Sequence, residues 1–218
     1  MLTNETEAAP GRMLLPWLVA LAAVGAAAAL YDRPVSAWLA CAAAGRPGLA
    51  ASVRLLTDWG LYLFYVGFGL ALILGLVRRD GRLVRLGAAY FLTLLLFSFA
   101  AGHLIKIAVG RPRPWLGEGL PCRPLSLAAS YNSFPSGHTS DAFAAPVPAF
   151  KWLRRDLPGL ALKALTLMWA VAIGLSRVML AQHYATDVIG GAALSLAGGW
   201  LVAALLERYQ LPWEVRRA

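Results

Sequence analysis

The sequence has few charged residues for its length. Only 14% of its 218 residues are Asp, Glu, Lys or Arg, whereas 59% are hydrophobic; a soluble domain carries roughly 25% charged residues. So few charges cannot cover a water-exposed surface, and lipid is expected to cover much of the chain. A soluble protein with a large core is disfavoured because several apolar runs have about 20 residues, the length that crosses a bilayer.

Cysteine and histidine are also scarce. The two cysteines, Cys41 and Cys122, and the three histidines form no cluster with metal-ligand spacing, so neither a metal nor another cofactor is expected. Both cysteines fall on the same predicted side of the membrane, and a disulfide between them remains open. The N-terminus lacks the basic region of a cleavable signal peptide, which predicts that the first apolar run is retained.

Six apolar runs predict an all-α fold, a polytopic membrane helical bundle that forms one domain over residues 1–218. The six predicted transmembrane helices cover residues 13–30, 59–77, 84–109, 138–153, 160–180 and 186–206. The fourth and sixth are the weakest because Gly and Pro interrupt their helical period. Short interfacial helices are expected between the first and second spans, at 35–44 and 49–56.

The net charge of +9 is better explained by membrane topology than by nucleic-acid binding, because no basic patch is interleaved with aromatics in a soluble domain. Twelve Lys and Arg lie on the side of the two termini and eight on the other. The positive-inside rule therefore predicts cytoplasmic termini. The Ala- and Leu-rich composition is typical of a bacterial inner membrane protein, and no obligate protein partner is inferred.

Two polar clusters flank the third and fourth runs. Lys106 and Arg113 are seven residues apart near the end of the third helix, so a continuing helix would turn both cations to one face; snorkelling charges at a helix end would look the same. In the second cluster, Ser136, Gly137 and His138 precede an apolar run. A helix N-terminus there would suit a phosphate, although an ordinary cap with an interfacial histidine has the same pattern.

A third cluster joins the fifth and sixth runs. Arg177 ends the fifth helix, and His183 and Asp187 are four residues apart, which places them on one face of a continuing helix. A carboxylate beside an imidazole fixes its tautomer and raises its basicity, but a structural contact is equally compatible. All three clusters fall on one predicted side. Together they supply the cations, nucleophile and proton donor that phosphoryl transfer needs, at a depth where charges are costly.

The three clusters resemble the signature of the type 2 phosphatidic acid phosphatase superfamily, which includes lipid phosphate phosphatases. The patterns are K-x6-R-P, P-S-G-H and S-R-x5-H-x3-D, and they span residues 106–187. Every signature position matches, namely Lys106, Arg113, Pro114, Pro135, Ser136, Gly137, His138, Ser176, Arg177, His183 and Asp187. Eleven identities in order are far more specific than one short motif.

The resemblance implies a role for each signature residue. His183 would attack phosphorus and form a phosphohistidine, Asp187 would orient it, and His138 would protonate the leaving oxygen and then activate water. The phosphate would be held without a metal by the cations Lys106, Arg113 and Arg177, by Ser136 and by the backbone N–H of Gly137.

The resemblance implies a membrane lipid phosphatase acting at the periplasmic or outer face. Phosphatidic acid, phosphatidylglycerophosphate, undecaprenyl pyrophosphate and lipid A 1-phosphate all remain open as substrates. A phosphotransferase that passes phosphate from a polyprenyl pyrophosphate to another lipid is the alternative. Outside the signature, His103 and Asp141 are interpreted as structural, and Arg111 and Arg123 either guide anionic head groups or are ordinary interfacial arginines.

Overall fold

The computed structural model describes residues 27, 30–117, 119–209 and 211. These residues form helices joined by turns and loops, with no β-strand among them. The predicted all-α class is therefore confirmed. The first predicted span, 13–30, falls almost wholly outside the described residues.

The helices follow one another with short connections, apart from a long loop in the middle of the chain. In chain order they are α1 (30–44), α2 (Pro47–Arg78), α3 (Gly81–Thr93), α4 (Gly102–Val109), α5 (Gly137–Phe143), α6 (Pro146–Trp152), α7 (Leu157–Met179) and α8 (Ala185–Arg208). A π-helical segment, Leu94–Ala101, joins α3 to α4 without a break. The loop between α4 and α5 contains two short 3₁₀ turns, Pro114–Leu116 and Ala129–Tyr131.

Within the described residues, four helical stretches are long and apolar enough to cross a membrane. They are Pro47–Arg78, Gly81–Leu116, Leu157–Met179 and Ala185–Arg208, and they correspond to the second, third, fifth and sixth predicted spans. Large apolar side chains such as Leu63, Leu165 and Trp200 are more than half exposed on them, as expected where lipid covers the surface. The predicted count of six spans is not confirmed.

The fourth predicted span, 138–153, is divided into two helices of seven residues each, α5 and α6. Pro146 begins the second helix because it has no N–H with which to continue the first. Neither helix exceeds about 11 Å in length, too short to cross a bilayer. Ala142, Ala144, Ala145 and Ala149 are fully buried at this break, so the pair packs inside the bundle through its small side chains.

The predicted interfacial helices have different outcomes. Residues 35–44 lie within α1, and their place at the interface stays a prediction. Residues 49–56 do not form a separate helix; they are the first turns of α2. The reason is local, because Pro47 suits the start of a helix. After Gly48 in its first turn, no Gly or Pro occurs until Gly60, so the helix continues into the span.

A tight turn makes α2 and α3 an antiparallel hairpin. Arg79 ends α2 in the left-handed conformation, with φ 54°, and the Asp80 side chain then caps α3 by accepting hydrogen bonds from the N–H groups of Arg82 and Leu83. A Cβ atom on Gly75 would lie 2.6 Å from the Val84 nitrogen. Glycine is therefore required for the close approach of the two helices.

The short helix α5 lies between α7 and α8 and packs against both of them. Beneath it, a core of aromatic and aliphatic side chains surrounds Tyr90, which is fully buried and stacks on Phe68 with ring centroids 4.4 Å apart. This packing brings the end of α4, the start of α5 and the α7–α8 turn to the same end of the bundle. All three polar clusters of the sequence lie there.

Candidate active site

Backbone hydrogen bonds join the three clusters directly. The N–H of Ser136 donates to the carbonyl of Asp187 (2.9 Å), and the N–H of Ser133 donates to the carbonyl of Arg111 (3.1 Å). A Cβ atom on Gly191 would lie 2.5 Å from the Ser136 carbonyl oxygen. Glycine at 191 thus lets α8 approach the start of α5 closely enough for the second and third clusters to meet.

The three predicted phosphate-binding cations surround the start of α5. Lys106 Nζ donates to the carbonyl of Pro135 (2.7 Å), and a Cβ atom on Gly137 would lie 3.4 Å from that Nζ. Arg113 Nε donates to the carbonyl of Ala129 (3.1 Å). Arg177 is 8% exposed, and its Nε has no hydrogen-bond partner among the described residues. A buried guanidinium with an unsatisfied N–H is suited to an anionic ligand.

His183 is 2% exposed and faces Asp187. Its Nδ1 lies 3.5 Å from Asp187 Oδ2, within reach of an ion pair but longer than a good hydrogen bond. Burial lowers the pKa of His183 below its ordinary value, and the hydrogen-bonding influence and charge of Asp187 only partly oppose this. The imidazole is therefore neutral at neutral pH, the form that a nucleophile requires.

Asp187 is completely buried and held by several donors. Its Oδ1 accepts from Arg111 (2.6 Å). Its Oδ2 accepts from the hydroxyl of Ser133 (2.5 Å) and from the N–H of Tyr184 (2.9 Å). A carboxylate that accepts from this many donors cannot rotate, so the edge that it presents to His183 is fixed.

Arg111 does not point outward to guide head groups. Its guanidinium lies between Asp187 and Asp32, with Nη2 2.5 Å from Asp32 Oδ2, and it stacks 4.4 Å above the ring of Tyr184. The interpretation of Arg111 as a head-group guide or ordinary interfacial arginine is wrong. Its bidentate geometry allows one side chain to bridge two carboxylates.

Helix α1 supplies residues that sequence analysis missed. Asp32, 5% exposed, accepts from the N–H of Thr186 (2.8 Å) in addition to Arg111, and the Ser36 hydroxyl accepts from the N–H of Ala185 (2.9 Å). Asp32 and Ser36 of α1, together with Arg111 from the loop after α4, hold the start of α8 in place. We call these three residues the α1 clamp. One sequence signal was available: Asp32 and Ser36 are four apart, on one face of a helix.

His138 lies half-buried at the start of α5. Burial lowers its pKa to about 4, together with the positive charges of Arg177, Lys106 and Arg113. The imidazole is therefore neutral in the unliganded protein. A bound phosphate would offset these charges and raise this pKa, toward the protonated form that the predicted role of an acid requires.

Ser136 occupies an inner position. Its side chain is fully buried and accepts from the hydroxyl of Thr139 (2.9 Å), so the observed contacts connect it to the protein rather than to the surface of the site. Its role in phosphate binding stays a prediction.

Two further predictions concern cysteine and metal. Cys41 and Cys122 are both free and exposed, so the structure contains no disulfide between them. Within the part of the chain that the structure describes, no three His, Cys, Asp or Glu side chains are grouped to hold a metal ion. Catalysis without a metal remains a prediction for experiment.

The chain is similar to a protein family and to individual proteins of known activity. A profile described as the PAP2 superfamily matches residues 86–210. A lipid A 1-phosphatase from Rhizobium etli is 30% identical over 203 residues, which cover 84% of this chain and 78% of the relative. Phosphatidylglycerophosphatase B from Bacillus subtilis is 34% identical over 122 residues, 53% of this chain and 58% of that protein.

One solved structure is similar in fold. The crystal structure of Aquifex aeolicus LpxE superposes with a TM-score of 0.55 and covers 79% of this chain and 94% of that one. The sequence identity is 21%, so the similarity supports the helical architecture alone.

Proposed function

The chain belongs to the PAP2 superfamily and is a membrane-embedded lipid phosphatase, and from the geometry of its site we propose that it hydrolyses the phosphate through a phosphohistidine on His183. The observation that carries this mechanism is the buried His183 facing the immobilised carboxylate of Asp187. Three cations lie beside this pair, where a phosphate would be bound.

The first half-reaction transfers the phosphoryl group to the protein. His183 Nε2 attacks phosphorus while the bond between phosphorus and the leaving oxygen breaks, and His138 donates its proton to that oxygen. Asp187 stabilises the positive charge that develops on the His183 ring, as a carboxylate does in other catalytic triads. Lys106, Arg113 and Arg177 neutralise the equatorial phosphate oxygens.

The second half-reaction returns the protein to its starting state. His138, now neutral, removes a proton from a water molecule, and the water oxygen attacks phosphorus. The bond between nitrogen and phosphorus breaks, inorganic phosphate leaves, and His183 regains its neutral form. The low pKa of His138 in the unliganded site favours its return to the neutral base once phosphate has gone.

We propose that the substrate is a phosphorylated glycolipid or glycerolipid, with lipid A 1-phosphate and phosphatidylglycerophosphate as the leading candidates. Two relatives of this chain, a lipid A 1-phosphatase and a phosphatidylglycerophosphatase, support this choice. The positive-inside bias of the sequence supports a bacterial inner membrane location with cytoplasmic termini and a periplasmic site. The phosphotransferase alternative uses the same phosphohistidine and differs only in the acceptor.

Phosphate release from a panel of lipids tests the function. Purified, detergent-solubilised protein is expected to release inorganic phosphate from lipid A 1-phosphate or phosphatidylglycerophosphate with water as the only acceptor. If phosphate appears only on a second added lipid, the protein is a phosphotransferase. If no lipid phosphate on the panel is cleaved or used as a donor, the proposal is wrong.

Chelation of metal ions is expected to leave the activity intact. The charges that a divalent metal supplies in other phosphotransferases are here supplied by Lys106, Arg113 and Arg177. Phosphate release in excess EDTA should therefore stay within about twofold of the untreated rate. A strict requirement for added Mg²⁺ after chelation would contradict the mechanism, and a magnesium-dependent phosphatase assayed in parallel controls for effective chelation.

A further inference from the structure

A cavity of about 500 Å³ opens from the active site on the side of His138. Its polar lining consists of Lys106, Gly137 and His138 of the site together with Tyr65, Ser98, His103 and Asp141. Its remaining walls are apolar, with Leu95 and Phe99 exposed on the π-helical segment. The cavity therefore runs from the phosphate site toward the lipid-covered surface, between α2, the π-helical segment and α5.

The position of this cavity matches that of a leaving group. In phosphoryl transfer the attacking and leaving atoms lie roughly in line through phosphorus. A smaller cavity of about 160 Å³, lined by Arg33 and Ser36 of α1, adjoins His183, the proposed nucleophile. The larger cavity adjoins His138, the proposed acid, so the part of the substrate that His138 protonates would lie within it.

Two hydroxyl groups anchor Asp141 in the wall of the cavity. Tyr65 Oη donates to its Oδ2 (2.8 Å), and Ser98 Oγ donates to its Oδ1. An ionised carboxylate has about four acceptor positions, so these two bonds leave capacity for a ligand. Asp141 follows His138 by three residues on α5, which places both side chains on one face of that helix.

The π-helical segment explains how the Ser98 hydroxyl reaches Asp141. Ser98 is buried in the middle of Leu94–Ala101, and the wider turns of a π-helix redirect side chains relative to the α-helix on either side. Such segments occur frequently at functional sites.

We propose that this cavity binds the leaving group of the substrate and that Asp141 accepts hydrogen bonds from hydroxyl or amide donors on it. The inference rests on the proposed phosphatase function and narrows the substrate class. It favours lipids with a donor near the scissile phosphate, such as phosphatidylglycerophosphate and lipid A 1-phosphate. Phosphatidic acid and undecaprenyl pyrophosphate have leaving groups without such a donor and could not satisfy the carboxylate.

The test compares Asp141→Asn on the two groups of lipids. The variant is expected to lower kcat/KM for the donor-bearing substrate by roughly 10- to 100-fold, the effect of losing a hydrogen bond to a charged acceptor. For phosphatidic acid the change should stay within about threefold. Ser98→Ala, which loosens Asp141 without removing it, should produce a smaller loss with the same selectivity.

The controls separate this inference from the proposed function. Asp156→Asn removes a different carboxylate, the cap of α7, and is expected to leave the substrate preference unchanged. Equal losses on both lipid groups, or no loss on either, would overturn the role of Asp141 while the phosphatase function stands. A wild-type protein that cleaves only lipids without such a donor would likewise overturn the role of Asp141 and leave the phosphatase function intact. A wild-type protein that cleaves no lipid phosphate would instead refute the function itself.

Discussion

Replacement of His183 by Ala is expected to lower the turnover of lipid phosphate by at least about 10⁴-fold, the scale seen when a catalytic nucleophile is removed. The residual cation site should still bind phosphate, because Lys106, Arg113 and Arg177 do not depend on the imidazole. The measurement is inorganic phosphate release in detergent, with direct binding of inorganic phosphate to the variant as the check that the anion site persists.

Trapping the intermediate distinguishes the nucleophile from the acid. After rapid quenching in base, wild-type protein incubated with labelled lipid should carry acid-labile phosphate, and His183→Ala should carry none. His138→Ala is the matched control: with an activated leaving group that needs no protonation, it should accumulate the labelled intermediate, since water activation is lost. Labelled phosphate on His183→Ala, or near wild-type activity in it, would refute the assignment of the nucleophile.

Loss of the α1 clamp is expected to reduce turnover although none of its residues is assigned a contact with the phosphate. Arg111→Met leaves the buried Asp187 without its cationic partner (2.6 Å in the native site), and a buried carboxylate deprived of its partner is strongly destabilised. We expect kcat to decrease by roughly 10²- to 10³-fold with KM within about threefold, because Asp187 orients His183 rather than the substrate.

Two further variants make this result specific. Arg154→Met breaks an exposed Arg–Asp pair on the loop before α7 and should be nearly silent, as exposed ion pairs contribute little. Asp32→Asn retains an acceptor for Thr186 but removes the negative charge next to Arg111. It should also reduce kcat, by a smaller factor than Arg111→Met does. An increase in KM with unchanged kcat in Arg111→Met would show that Arg111 binds phosphate directly, which contradicts the clamp.

The polar clusters were predictable because their chemistry is local. Lys106 and Arg113, or His183 and Asp187, need only their own spacing and the proximity of a helix end to be recognised. Long apolar runs likewise predicted four of the helices. The division of 138–153 into α5 and α6 was harder to predict, because an apolar run has the same sequence pattern whether lipid or protein surrounds it. Only Pro146 and Pro148 marked the break.

Contacts between distant parts of the chain could not be predicted from the sequence. Nothing near Asp32 indicates that it meets Thr186 and Arg111, because no local period encodes a partner more than 70 residues away. The π-helical segment is equally hidden, as Leu94–Ala101 is an ordinary apolar run. Because the sequence does not predict these wider turns, it does not predict the contact between Ser98 and Asp141 either.

On the proposed mechanism, the α1 clamp also sets the point in synthesis at which the site is completed. Asp32 is synthesised early, whereas Thr186 and Asp187 lie at the start of α8, the last helix of the described residues. The carboxylate that orients the nucleophile is therefore fixed only when the last of these helices docks against the first. A nascent chain still attached to the ribosome would hold its phosphate-binding cations but could not turn over lipid until that final docking step.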